Sequence, residues 1–162
     1  MKKAIFATLL FCLFVTVTLP VKATSEIIYE KTNPSDVYSY NLKRFKEKVA
    51  LTIFYRSPIK KTNFLKDLLQ KRMAELKHVV DFKEASYLES SSQRLSATAG
   101  KITEVVVTNR IDSEKEILKK TFSEQITLLE QLQNNYEYDS AQWMFLKWDI
   151  DYLKLYSEKL SD

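Results

Sequence analysis

The chain has 162 residues, with 25 basic and 21 acidic side chains but only one cysteine, one histidine, one glycine and three prolines. With Gly100 as its sole glycine, it cannot supply the phosphate-cradling loops, nucleophile elbows or primed hairpin turns that depend on positive φ or close backbone approach. What remains is rich in Leu, Lys and Glu with apolar residues at helical spacing, so the expected fold is an all-α bundle of four to five helices, over about 34–54, 58–80, 84–107, 113–133 and 140–160.

Residues 1–23, MKKAIFATLLFCLFVTVTLPVKA, carry the pattern of a signal peptide. Lys2 and Lys3 form a positive start, the apolar run from Ala4 to Leu19 is short for a spanning helix, and Val21-Lys22-Ala23 offers small residues at a cleavage point. Cys12 follows Leu10-Phe11 rather than a small residue, so no lipid anchor is expected. Removal of Lys2, Lys3 and Lys22 lowers the 25 bases to 22 against 21 acids, a net charge of about +1. The pI near 9.0 is therefore partly a property of the signal and gives no support for a nucleic-acid partner. The mature chain is expected in the periplasm, cell envelope or extracellular space, with no transmembrane helix once the signal is gone. It also loses Cys12, leaving no disulfide, thiolate chemistry or cysteine metal site.

Residues 24–32 read as a flexible lead-in to a single helical domain over 33–162. Asn33 as N-cap, Pro34 at N1 and Asp36 in the first turn start the first helix, whose stripe of Tyr38, Leu42, Phe45, Val49 and Ile53 is expected in the core. Ser57-Pro58 repeats the start signal. The second helix should bury Leu65, Leu68, Leu69, Met73, Leu76, Val79 and Val80 and pair with the first as an antiparallel hairpin. The third segment is slim, with Ser90, Ser91, Ser92, Ser96, Ala97, Ala99 and Gly100. It is expected to be helical to Gly100, whereas Val105-Val106-Val107 favours extended backbone. Small side chains there point to close helix packing. Ser113-Glu114-Lys115-Glu116 reads as a capping box for the fourth helix, with Leu118, Phe122, Ile126, Leu129 and Leu132 as its stripe.

The last helix opens near Asp139 or Ser140 and has apolar residues on two sides. Trp143, Leu146, Ile150, Leu153 and Leu160 form one set, Phe145, Trp148, Tyr152, Leu155 and Tyr156 another, with Lys147, Asp151, Lys154 and Glu158 as a polar strip. Such a helix is either enclosed by its own bundle or used for contact. On the second reading Phe145, Trp148, Tyr152 and Tyr156 are a candidate surface for a protein partner or self-association.

Charge divides along the chain. Residues 41 to 83 hold 12 bases against 4 acids, and residues 84 to 162 hold 9 against 14. Solvated faces explain this, and the functional alternative is a basic face of Lys43, Arg44, Lys60, Lys61, Lys66 and Lys71 against an anionic envelope component. Catalytic readings have little to rest on. His78, Asp81 and Glu84 could approach a metal, but such a grouping arises easily by chance in an acid-rich chain, so no metal or other cofactor is expected. Asp149 with Asp151, or Glu137 with Asp139, are paired acids without i+4 spacing, so a two-carboxylate hydrolase has no specific support and the chain is read as a non-enzyme.

Between 33 and 76 the residues Pro34, Tyr38, Leu42-Lys43-Arg44, Glu47, Leu51-Thr52, Pro58 and Arg72-Met73-Ala74-Glu75-Leu76 stand in a recurring order. That order resembles a family of uncharacterised bacterial extracytoplasmic helical domains, which implies an exported helical module and brings no catalytic residue. The segment Ile53-Phe54-Tyr55-Arg56-Ser57 departs from the acidic turn of that pattern. A fainter likeness is to small helical periplasmic stress chaperones with a Leu-Thr-x-x-Gln step. Here Tyr55 stands where the glutamine would be. Glu47 and Arg72 are expected to meet across the first hairpin as a partly buried pair, with Glu75 one turn on. The function expected is a non-enzymatic interaction module, with a client-holding chaperone as the alternative.

Overall fold

The computed structural model describes residues 56 to 162 continuously, together with positions 42, 45 to 47, 49 and 51. The expected signal peptide, the lead-in, the helix start at Asn33 and Pro34, and residues Tyr38, Lys43, Arg44 and Ile53 lie outside the described residues. The continuous stretch folds into α1 (Pro58–Asp81), α2 (Ala85–Thr108), α3 (Asp112–Gln133) and α4 (Ala141–Lys159). The described positions between 42 and 51 are helical as well, and no strand occurs among the described residues. The protein is an all-α helical bundle.

α1 begins where a proline can begin a helix: Pro58 needs no N–H donor at N1, and its fixed φ suits the first turn. Ser57 has extended N-cap backbone, but its hydroxyl makes no capping bond, so the proline carries the start signal. All seven apolar residues expected on its inner side lie in the core. Buried with them is a charged cluster. Arg72 Nη1 donates to both Glu75 carboxylate oxygens at 2.8 Å, Arg72 Nη2 donates to Glu47, and Arg94 of α2 lies 3.8 Å from Glu75. The Glu47–Arg72 pair forms as expected, yet more deeply: the Glu75 side chain is wholly buried. Burying ions this far costs desolvation that their attraction barely offsets, so the cluster sets the register of three helices more than it adds stability.

The 42–51 segment turns its Glu47 and Leu51 toward this cluster and the core. Leu42, Phe45 and Val49 are consequently exposed, contrary to the core stripe expected of them. At about 100° per residue they fall on the side roughly opposite Glu47.

The α1–α2 and α2–α3 connections are the same turn built twice. Glu84 N–H bonds the Val79 carbonyl at 2.9 Å and Lys83 N–H bonds that of Val80 at 3.1 Å; Ile111 and Arg110 repeat this with Val106 and Val107 at 3.0 and 3.1 Å. This is the paired bonding of a Schellman ending, with Lys83 (φ 56°) and Arg110 (φ 52°) in the left-handed position. Around the second turn the expected helical span to about 107 holds, and the expected cap of the next helix is corrected. α2 continues through the three valines to Thr108, because Val105 and Val106 bury their side chains in the core and that packing outweighs the β-branched preference. α3 starts at Asp112 after Ile111, with no side-chain cap, so the Ser113 capping box does not form. Glu114 instead reaches Lys66 of α1 at 2.8 Å.

α4 is capped by Ser140, whose Oγ accepts from Trp143 N–H at 3.2 Å. Leu146, Ile150, Leu153 and Leu160 enter the core, but Trp143 does not. It is half-buried and packs edge-on to Tyr138, with ring centroids 4.8 Å apart. α2 packs against both α1 and α4, and α3 packs mainly on α4. Ser92 meets Phe145 and Ser96 meets Asp149, so α2 and α4 run parallel, side by side.

Candidate functional site

Along α4, Phe145, Trp148, Asp149, Tyr152 and Tyr156 succeed one another at three, one, three and four residues, which places them on one helix face. α2 supplies the opposite wall with small side chains. Ser92 Oγ donates to the Phe145 carbonyl at 3.3 Å, and Ser96 Oγ donates to Asp149 Oδ1. A Cβ at Gly100 would come within 2.9 Å of Tyr156 Oη, so the chain's only glycine lets that ring lie against the backbone of α2. Between the two helices runs a groove of about 410 Å³, with Asp149 at its floor, aromatic rings along one wall and Glu89 among its lining. Phe145 and Trp148 pack edge-to-face at 5.7 Å, while Tyr152 and Tyr156 stack at 6.1 Å.

Asp149 is the unusual group. Its residue surface is 1% exposed, although Trp148 beside it is 49% and Tyr152 47% exposed. Burial pushes its carboxyl up from 3.8 to about 7, against the opposing pull of the Ser96 and Ser92 hydroxyls. Oδ2 is buried without a hydrogen-bond partner among the described residues. A buried carboxyl with one oxygen unmet is costly, and groups of this kind gather at sites that bind or react. Tyr156 is held above its ordinary value by burial first and by Tyr152 second, so its hydroxyl stays protonated near neutrality.

The four aromatic residues expected as a contact surface are thus brought together on this groove. The expected basic face is more dispersed. Lys60 and Lys71 are exposed, Lys61 is half-buried, Lys66 is engaged with Glu114, and Lys43 and Arg44 lie outside the described residues. Asp149 and Asp151 do not form a pair: Asp151 is exposed and bonded to Lys147. Glu137 and Asp139 are both exposed. His78 stacks on Phe82 at 4.3 Å and Asp81 accepts from Lys77, and no group of three metal-ligating side chains occurs among the described residues. A roomier hollow of about 750 Å³ borders Leu51, Pro58, Lys61, Lys101 and Glu104, but its charged groups all reach solvent.

Reading the sequence for acid pairs missed what sets Asp149 apart. Its neighbours three and four residues away, Phe145, Leu146, Tyr152 and Leu153, are all apolar, whereas Asp151 has Lys147 and Lys154 in reach. An acid with no base at helical spacing, inside an aromatic stripe, is the signal that marks it. No protein-family model, curated protein or solved structure matches this chain.

Proposed function

We propose that this protein is an exported, non-enzymatic interaction module whose contact surface is the α2–α4 groove. The observation that carries the reading is the exposed Trp148 and Tyr152 flanking a buried, incompletely bonded Asp149. Aromatic rings left at a surface beside a desolvated polar group are the usual anatomy of a contact site, since the rings supply area and the polar group supplies selectivity. The apolar run at residues 4–19 and the Ala23 cleavage point support export. No helix among the described residues is long and apolar enough to cross a membrane.

Photo-crosslinking in the producing cell tests this reading. With benzoylphenylalanine at position 148 or 152, discrete adducts are expected; at exposed positions 117 on α3 and 138 in the α3–α4 loop they are not. Adducts at 117 and 138 alone would place the contact surface elsewhere. Trp148→Ala should abolish the adduct formed through position 152 without lowering the melting temperature, because that side chain is half exposed.

The exposed Leu42, Phe45 and Val49 favour client holding as a second reading. Suppression of aggregation of a model substrate at stoichiometric amounts, lost when all three are changed to serine, is the expected result under it.

A further inference from the structure

We propose that the helical segment at 42 to 51 is a docking face for an anionic lipid surface, with Leu42, Phe45 and Val49 entering the headgroup layer and Lys46 on the phosphates beside them. This face is separate from the α2–α4 groove and does not depend on it. The three apolar side chains are 58%, 65% and 42% exposed, and their spacing of three and four residues puts them in one stripe. Lys46 is also exposed and follows Leu42 by four residues, so it borders that stripe. A lysine so placed can lay its stem along apolar surface and keep its ammonium in the polar layer.

Charge decides the kind of surface. Residues 42 to 56 hold five bases, Lys43, Arg44, Lys46, Lys48 and Arg56, against one acid. That acid is Glu47, and the bundle takes it inward, where it accepts from Arg72 on the side away from the stripe. An anionic layer therefore meets attraction at this segment and no carboxylate to repel it. The exposed Trp148 and Tyr152 stand instead in the half of the chain with 9 bases against 14 acids, which such a layer would repel. Size decides against a second copy of the chain. A stable protein interface takes about 20 to 30 residues a side, whereas a lipid surface is held by a short apolar face together with electrostatic attraction. Client holding rests on the same three apolar residues, but it does not call for the excess of bases around them.

Vesicle sedimentation with the mature chain tests the proposal, using phosphatidylcholine alone and phosphatidylcholine with about 30% phosphatidylglycerol. Binding to the mixed vesicles should be about tenfold tighter or more, since each cation near such a surface adds attraction, and it should fall when salt is raised to about 0.5 M. Changing Leu42, Phe45 and Val49 together to serine should abolish binding and keep the melting temperature, because all three are exposed. Lys46→Glu should weaken binding about tenfold, whereas Lys154→Glu, the same charge change at an exposed site on α4, should weaken it about twofold at most. A dye that brightens in apolar surroundings reports the contact independently of these variants. Cys12 is the only cysteine and lies in the expected signal peptide, so the dye can be attached to Phe45→Cys of the mature chain or, as a control, to Ile117→Cys of α3. Mixed vesicles should brighten the dye at 45 and not at 117. No binding, equal binding to both kinds of vesicle, or brightening at 117 alone would overturn the lipid surface. A dye at 45 already shielded in a concentration-dependent dimer would give the face to a second copy, and suppressed aggregation of a model substrate without vesicle binding would give it to a client; either result overturns the proposal. The crosslinks at 148 and 152 test the groove alone.

Discussion

A single carboxyl makes the stability of this protein depend on pH in an unusual direction. Asp149 is neutral in the folded state up to about pH 7, whereas the unfolded chain releases that proton near 3.8. Between those values the folded state binds more protons than the unfolded one, so this group's contribution to stability is full below about pH 4, declines as pH rises and is gone above about 7. Asp149→Asn keeps the shape and an acceptor for Ser96 but cannot ionise. Thermal melts of the variant and the parent should coincide near pH 4 and diverge as pH rises, the variant gaining up to about 4 kcal/mol by pH 8. Parallel curves across the range would show that the carboxyl finds compensation in the folded protein. The same comparison explains why Asp149 was hard to single out from sequence. Its residue type is common, and only the apolar company at three and four residues, together with two serines of another helix, makes it different.

The helices themselves are legible because each carries its own local instructions. Pro58 and Ser140 start α1 and α4, and the apolar spacing of α1 names its core residues one by one. The turns are less so, since Lys83 and Arg110 occupy left-handed backbone where glycine is the usual choice and nothing in their identity announces it. For a residue with a Cβ that conformation costs about 1 to 2 kcal/mol, partly offset in a glycine variant by its freer unfolded chain. Lys83→Gly and Arg110→Gly should therefore each stabilise the domain by roughly 0.5 to 1 kcal/mol. The two sites sit at opposite ends of α2, so their effects should add. Chemical denaturation of the single and double variants measures both points, and a loss of stability in either would show that the lysine or arginine side chain contributes more than its backbone costs.

Among the described residues, two helical hairpins are joined by the parallel pairing of α2 with α4, and the candidate site lies on that seam. α2 can occupy the middle because its serines, alanine and glycine keep it slim enough for neighbours on two sides. The division of charge does not direct this assembly. The contact between the basic first hairpin and the acidic second half is represented by Lys66 with Glu114, a partly buried ion pair of modest worth. Export of the whole molecule is open to a direct check. Mass spectrometry of the envelope or secreted fraction should find an N-terminus near Thr24, and an intact Met1 end confined to the cytosol would refute it.

Composition and periodicity by themselves determined the class of this protein: one glycine, four strong apolar stripes and two proline-led starts leave little besides a helical bundle. Those signals are local, so they survive without knowledge of what lies across the chain. Tertiary contact alone decided the rest. It kept the three valines of α2 helical by burying two of them, turned Leu42, Phe45 and Val49 outward by engaging Glu47 and Leu51, and left Trp143 at the edge of the core. It also placed Ser96 and Gly100 against Asp149 and Tyr156, residues 53 and 56 positions apart in the chain. A desolvated carboxyl walled by aromatic rings exists only where two helices meet, because burial is a property of the space between elements and not of either one.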